Sequence, residues 1–214
     1  MMADNGWDAV VLYGTDPHSS EYPAPRWKQV EWLTGFTGEA GDLVVTHDHA
    51  GLWTDSRYFI QAITQLDGTG VELHKTRMPD SVYVPQWLAE NGAGVVAVDG
   101  LCVDSATADE ILATASCDLV NVPDLLDSLW LDRPAVPMTP VETQDVENFG
   151  GEPRADKVAW LRKWMLLNDV DQVFLSSLDE IAWLLNVRAS DIDYNPLVMS
   201  YLLVSQDYVK WFVR

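Results

Sequence analysis

Four histidines are the side chains in this sequence best suited to bind a metal ion. His47 and His49 alternate along a short polar segment, so both imidazoles could reach a single ion. No third ligand stands near them in the sequence, so we expect this segment to be a solvated turn. His74 falls in a strand pattern, which indicates a structural role. The residues by themselves therefore predict no metal site.

Three other polar side chains stand where a ligand could bind. His18 follows the end of an apolar run, and the carboxyl ends of strands in open α/β sheets often line ligand clefts. Arg57 follows a predicted hairpin, and Arg188 lies in a polar loop. In so acidic a chain, a loop arginine either pairs with a nearby carboxylate or binds a carboxylate ligand. The residues alone favour the internal pair.

The sequence lacks the short motifs that mark common catalytic sites. It has no HExxH zinc motif, no GxSxG nucleophile elbow, no P-loop and no GxGxxG fingerprint. The glycine-rich segment 35–41 lacks the Lys-Ser/Thr pair that follows the glycines of a nucleotide site, which favours a tight turn. Cys102 and Cys117 have no obvious basic activator, so neither is predicted to be a nucleophile.

The composition excludes several kinds of partner. Thirteen Lys and Arg against 33 Asp and Glu give a formal charge of −20 over 214 residues. A field of this sign repels phosphates and anionic lipid, so neither nucleic acid nor a membrane surface is an expected partner. The amino terminus lacks the basic region of a signal peptide, and no apolar run reaches the ~20 residues of a bilayer span. We therefore expect a cytoplasmic protein.

The first part of the chain alternates between strand and helix patterns. A continuous apolar run at 8–14 predicts a strand buried on both faces, and 26–36 predicts a short helix that ends near Gly35. A hairpin is predicted over 42–55. The order of elements predicts an α/β fold with a mixed sheet flanked by helices. The remaining elements are helices over 57–66, 82–91 and 105–115, the last with Ser105 as its N-cap, and strands over 71–75, 95–100 and 117–122.

A proline cluster marks the best domain boundary. Three prolines within residues 134–140 disfavour both helix and central strand. We therefore predict a first domain over 1–133, a linker over 134–150 and a second domain over 151–214.

The second domain repeats the opening of the first. Its patterns predict a helix over 152–168, a buried strand over 171–177, a helix over 178–186 and a hairpin over 197–213. In each copy a strand is followed by a helix that contains Trp (Trp32 and Trp183), a loop, and a hairpin that contains Trp (Trp53 and Trp211), which indicates an internal duplication. The second copy stops at Arg214, before the elements that follow the first hairpin, so we expect it to be truncated.

Several motifs resemble the two amino-terminal domains of Xaa-Pro aminopeptidases, metallopeptidases of the creatinase/prolidase type, above all the three-domain cytosolic form. In the first domain these are 16–22 (DPHSSEY), 26–28 (RWK), 32–38 (WLTGFTG) and 51–59 (GLWTDSRYF). Segments 178–192 (LDEIAWLLNVRASDI) and 194–196 (YNP) resemble the second domain. The resemblance covers essentially the whole chain in the same order. It implies two creatinase/prolidase N-terminal-like domains, the second incomplete.

The resemblance also implies an activity for the parent protein, which would remove the first residue from peptides whose second residue is proline. Two metal ions, typically manganese, would activate a water nucleophile there. Their ligands, two Asp, one His and two Glu, belong to a carboxy-terminal domain outside these 214 residues. The resemblance therefore implies neither a catalytic residue nor a metal ligand in this chain, which we expect to be inactive alone.

The amino-terminal domains of such enzymes cover the active-site cleft, support a homodimer and contact the peptide. By this resemblance, Glu21 would pair with the substrate ammonium and Arg57 with a carboxylate or carbonyl, while His18 and Arg188 would line the cleft. Two alternatives stay open. The chain could be a stand-alone peptide- or amine-binding module with Glu21 and Arg57 as its clamp, or a purely structural dimerisation unit in which both residues tolerate alanine.

Overall fold

The computed structural model describes all residues from Met1 to Arg214. They form two compact units, Met1–Pro134 and Ala135–Arg214. No helix in either unit combines the length and the apolar character that crossing a bilayer requires.

The first unit is built around a six-stranded mixed sheet flanked by helices, as the order of elements predicts. Its strands are β1 (Ala9–Leu12), β2 (Asp42–Thr46), β3 (Ala50–Thr54), β4 (Glu72–Lys75), β5 (Val95–Val98) and β6 (Asp118–Asn121). Their spatial order is β4-β3-β2-β1-β5-β6. Strand β2 pairs antiparallel with β1 and with β3, and the other neighbouring strands pair in parallel. The helices are α1 (Met2–Asn5), α2 (Gln29–Thr34), α3 (Phe59–Gln65), α4 (Val84–Glu90) and α5 (Ser105–Ala115).

Strand β1 is buried on both faces, which confirms the prediction from its continuous apolar run. Val10 and Leu12 join a core that also takes side chains from α2 and α3. Ala9 and Val11 join a second core with side chains from α4 and α5. Successive side chains of a strand point to opposite faces, so one strand supplies both cores.

The strand directions bring several chain ends to one edge of the sheet. Leu12, at the end of β1, is paired with Leu43 near the start of β2, and Trp53 near the end of β3 is paired with Asp42. Strand β4 runs parallel to β3, and β5 runs parallel to β1. The loops that follow β1, β3, β4 and β5 therefore share this edge, which we call the carboxyl edge. It is where ligand clefts form in open α/β sheets.

Glycines shape the loops at the carboxyl edge. Gly35 ends α2 in the left-handed conformation at φ 73°, where the sequence predicts the helix to stop. A Cβ on Gly14 would collide with the carbonyl oxygen of Gly41, so the loop after β1 passes close to the segment 35–41. Gly35 and Gly14 therefore have steric roles in these loops, and the tight turn expected over 35–41 stays a prediction.

One cap differs from the sequence prediction. Asp104, rather than Ser105, is the N-cap of α5, because its Oδ1 accepts the Thr107 backbone N–H at 2.9 Å. Its Oδ2 also accepts the Thr107 hydroxyl at 2.8 Å. Asp and Ser are equally good N-cap residues, so the sequence could not decide between two neighbouring candidates.

The second unit contains a three-stranded antiparallel sheet, a short two-stranded pair and two helices. Its elements are β7 (Glu142–Thr143), α6 (Arg154–Leu167), β8 (Gln172–Leu175), α7 (Leu178–Leu185), β9 (Val187–Arg188), β10 (Ser200–Ser205) and β11 (Val209–Val213). The sheet order is β11-β10-β8, and β7 pairs with β9. The core comes mainly from α6, α7 and β10, where Met165, Ile181 and Leu202 are fully buried. The predicted linker 134–150 includes β7 and a π-helical turn over Val146–Gly150.

The two units share one topological motif. In the first unit a strand, a helix and a hairpin give the sheet order β3-β2-β1, and in the second they give β11-β10-β8. The first strand pairs antiparallel with the near strand of the hairpin in both cases. This correspondence supports the internal duplication that the sequence pattern indicates.

Strand β8 differs from the buried strand that its apolar run predicts. Val173 and Leu175 pack against the core, whereas Gln172 is exposed and Phe174 is 59% exposed. The core lies on one face of this sheet, so the alternate side chains of an edge strand stay uncovered.

Candidate functional site

Arg57 stands at the carboxyl edge, directly after β3, in a fixed geometry. Its Nε donates to Asp55 Oδ1 at 3.0 Å, and its Nη2 donates to Asp55 Oδ2 at 2.9 Å. The backbone N–H of Arg57 also donates to Oδ1 at 3.1 Å. The Asp55 side chain is 7% exposed, whereas that of Arg57 is 54% exposed. Two-point pairing therefore fixes the plane of a guanidinium group that remains open to solvent.

The electrostatics of this pair keep both groups charged. The hydrogen bonds from Arg57 are the main cause that lowers the pKa of Asp55, against the opposing effect of burial. The same hydrogen bonds, followed by the charge of Asp55, raise the pKa of Arg57. Arg77 approaches the same carboxylate, with its Nη1 3.8 Å from Asp55 Oδ2. The Asp55 carboxylate thus forms ion pairs with two arginines at this edge, Arg57 and Arg77.

Glu21 is exposed, and its charge is the last and smallest of the causes that raise the pKa of Arg57. No hydrogen bond or ion pair joins the two side chains. We call them the Glu21–Arg57 cluster because each lies in a loop that follows a strand at the carboxyl edge. The preceding turn is organised by Asp16, whose Oδ1 accepts the backbone N–H groups of His18 at 2.9 Å and Ser20 at 3.0 Å. Such side-chain-to-backbone bonds hold a turn in one conformation. The backbone directly before Glu21 is therefore held in one conformation.

The other two predicted contacts have different surroundings. His18 is half-buried in the turn organised by Asp16, in the same loop as Glu21. Arg188 belongs to the second unit, where its Nη1 donates to the carbonyl groups of Val187 at 2.7 Å and Ala182 at 3.1 Å. Ala182 lies in the last turn of α7, and its carbonyl also accepts the backbone N–H of Asn186. Arg188 therefore makes a helix-capping contact.

Sequence reasoning missed two residues of the Arg57 cluster. The Arg57 guanidinium lies 5.2 Å from the centre of the Tyr58 ring, and Tyr58 Oη donates to Glu39 Oε2 at 3.3 Å. Tyr58 follows Arg57 directly in segment 51–59, so the sequence could have indicated that it lies near the guanidinium. Arg77 follows β4, and its approach to Asp55 depends on the pairing of β4 with β3. No local pattern encodes that pairing.

Further potential metal ligands lie beside His49 in the fold, although none stands near it in the sequence. His74 Nε2 lies 3.3 Å from His49 Nε2, although the two residues are 25 positions apart. Glu72 Oε2 lies 3.8 Å from His49 Nδ1. Both partners come from β4, which pairs in parallel with β3. His47 is exposed on the turn, so the cluster contains His49 and not the pair that the sequence suggested.

The two cysteines are unsuited to nucleophilic chemistry. Both are buried free thiols. Burial raises the pKa of Cys102 to about 12 and is also the main cause that raises the pKa of Cys117. Neither is a thiolate at neutral pH.

Comparison with known families gives matches along both units. A family model described as the creatinase/prolidase N-terminal domain matches residues 1–129, and a second model with the same description matches residues 132–214. "Xaa-Pro aminopeptidase app-1" of Caenorhabditis elegans is 39% identical over 211 residues, which are 96% of this chain and 34% of that protein. "Probable Xaa-Pro aminopeptidase P" of Chaetomium globosum is 40% identical over 223 residues, 100% of this chain and 35% of that protein.

A solved structure extends this similarity to the fold. The crystal structure of X-prolyl aminopeptidase from Caenorhabditis elegans, described as a cytosolic enzyme with a di-nuclear active site, matches with a TM-score of 0.90 and 37% identity. The match covers 97% of this chain and 35% of the enzyme. The chain thus spans about a third of the length of the relatives it matches.

Proposed function

The chain belongs to the family of creatinase/prolidase N-terminal domains, and we propose that it works as the non-catalytic amino-terminal region of an Xaa-Pro aminopeptidase. The observation that carries this proposal is the match to the Caenorhabditis elegans enzyme, with a TM-score of 0.90 over 97% of the chain. The longer enzyme would remove the first residue from peptides whose second residue is proline. Its two metal ions, manganese in this proposal, would act in a domain outside these 214 residues.

Within that enzyme, the Glu21–Arg57 cluster would contact the peptide. A peptide substrate carries an ammonium group that an exposed carboxylate such as Glu21 can pair with, and carbonyl or carboxylate oxygens that Arg57 can bind. Asp55 holds the Arg57 guanidinium before any ligand arrives. This preorganisation reduces the conformational entropy that binding would otherwise cost. His18, in the loop before Glu21, and Arg188 would line the cleft.

The remaining proposed roles are to cover the active-site cleft and to support a homodimer in the cytoplasm. Three large exposed apolar side chains, Trp160, Trp164 and Leu167, recur at helical spacing on α6 and so share one face. An exposed apolar face of this kind can mark a contact with another domain or subunit. Light scattering of the complete gene product tests the dimer.

The activity test compares this chain with the complete gene product on a tripeptide whose second residue is proline. We expect the complete product to release the first residue in the presence of Mn²⁺, to lose this activity on chelation, and to leave a matched peptide with alanine second uncut. We expect the 214-residue chain alone to release nothing. Turnover by the chain alone would contradict its non-catalytic role, and an inactive complete product would contradict the peptidase assignment.

The stand-alone binding module remains a second candidate, because the Glu21–Arg57 cluster lies wholly within the first unit. Calorimetry of the isolated chain with a panel of short peptides separates the two candidates. The binding module requires micromolar affinity that is lost in Arg57→Ala. The peptidase region requires no such affinity, because most of its peptide contacts would lie in the catalytic domain.

A further inference from the structure

Three potential metal ligands converge on one face of the first unit's sheet. His49 precedes β3, and Glu72 and His74 belong to β4. One ligand atom from each residue lies within 4.8 Å of the other two. The Nε2 atoms of the two histidines are 3.3 Å apart. Nitrogen ligands at about 2.0–2.1 Å from a tetrahedral Zn²⁺ lie roughly 3.3 Å from one another, so the two imidazoles already have the spacing of a shared ion.

The surroundings fix both imidazole rings. His74 stacks on the buried Trp53, with ring centroids 3.9 Å apart and planes 6° apart. His49 stacks on Trp87 at 4.7 Å. A Cβ on Gly51 would come within 2.7 Å of His49 Nε2 and 2.8 Å of His74 Cδ2, so glycine at this position leaves room for the pair. Ligands held by packing on strands are preorganised for an ion.

The chemistry of the three side chains also suits a cation. Imidazole nitrogens and carboxylate oxygens are both good ligands for divalent transition-metal ions. Glu72 is 67% exposed and supplies a negative charge. A groove of about 450 Å³ opens beside His49, although neither Glu72 nor His74 lines it.

We propose that His49, His74 and Glu72 bind one divalent transition-metal ion, Zn²⁺ in particular, with a fourth position left for water. Two imidazoles and a carboxylate suit Zn²⁺ better than Mg²⁺ or Ca²⁺, which prefer all-oxygen sites. The ion ties the β2–β3 hairpin to the edge strand β4. Because the ligands meet only in the folded chain, binding stabilises the fold. The competing explanation is an N–H···N hydrogen bond between the two imidazoles, which requires no metal.

The test is a Zn²⁺ titration of the 214-residue chain by calorimetry, with the melting temperature measured in parallel. The chain carries 33 carboxylates, so an excess of Mg²⁺ is present throughout to suppress weak binding elsewhere. We expect one Zn²⁺ per chain with a micromolar Kd. At a hundredfold excess over Kd, the melting temperature should rise by about 5 °C.

Three variants locate the site. Glu72→Gln and His74→Gln each remove one ligand and should weaken Zn²⁺ binding at least tenfold. His47→Gln is the matched control, because His47 is exposed on the same turn but outside the cluster, and it should leave the affinity unchanged. His74→Gln also removes the stacking on Trp53, so the exposed Glu72 provides the variant that keeps the fold. The proposal is overturned if Zn²⁺ does not bind in the presence of Mg²⁺, or if both ligand variants bind it as the original chain does.

Discussion

Replacing Arg57 by alanine in the complete gene product should lower kcat/KM for an Xaa-Pro peptide by roughly ten- to a hundredfold. The proposed contact is a charge-assisted hydrogen bond to the peptide, and such bonds contribute about 1.5–3 kcal/mol, while about 1.4 kcal/mol corresponds to a factor of ten. Asp55 positions the guanidinium and leaves 54% of the Arg57 side chain exposed to a ligand. The measurement is steady-state hydrolysis of a tripeptide, with denaturant unfolding of each variant to verify the fold.

Two further variants control this experiment. Lys28→Ala removes another exposed cation of the same unit, whose Nζ lies 3.8 Å from Glu31 Oε2. This variant should leave kcat/KM unchanged. Arg57→Lys keeps the charge but cannot form the two-point pair with Asp55, so it should recover only part of the lost activity. If Arg57→Ala retained full kcat/KM, the cluster would have no role in substrate contact, and the purely structural dimerisation unit would be the better account.

Replacing Lys157 by alanine should lower the free energy of unfolding of the chain by about 2–4 kcal/mol. Lys157 is 2% exposed, and its Nζ donates to the Trp183 carbonyl at 2.8 Å and to Asn186 Oδ1 at 2.6 Å. Nζ also lies 4.3 Å from the centre of the Trp183 ring. The truncation would leave both acceptors at the end of α7 without this donor and would open a cavity. Urea unfolding followed by tryptophan fluorescence measures the effect.

Other lysine variants separate the causes of that loss. Lys163→Ala removes an exposed lysine from the same helix, α6, and should change stability by no more than about 0.5 kcal/mol. Lys157→Met keeps most of the buried volume but supplies no donor, so it separates the cost of losing these two hydrogen bonds from the cost of the cavity. A loss below about 1 kcal/mol for Lys157→Ala would show that this contact does not hold α7 in place.

Local patterns predicted the elements of this fold well, because each depends on residues near one another in sequence. The continuous apolar run of β1 identified a central strand, and Gly35 marked the end of α2. The repeated order of strand, helix and hairpin indicated the duplication, which reappears in the two sheet orders. The same reasoning overestimated the burial of β8, because an apolar run does not show how many faces of a sheet are covered.

The sites depended on contacts between distant segments and were predicted less completely. The Asp55–Arg57 pair spans two positions, so the sequence could suggest an internal pair there. The cluster of His49 with His74 instead requires the parallel pairing of β3 with β4, which sets residues 25 positions apart side by side. No periodicity in either segment specifies that pairing. Local sequence patterns therefore could not predict contacts between two strands that are joined by a helix.

Residues of this chain are proposed to contact a substrate whose hydrolysis takes place elsewhere in a longer enzyme. The most direct test is the crystal structure of the complete gene product with a non-cleavable Xaa-Pro peptide analogue bound. We expect the Arg57 guanidinium to lie within about 3 Å of an oxygen of the peptide, with Glu21 beside the peptide's ammonium group. A peptide bound with both Glu21 and Arg57 out of contact would contradict it.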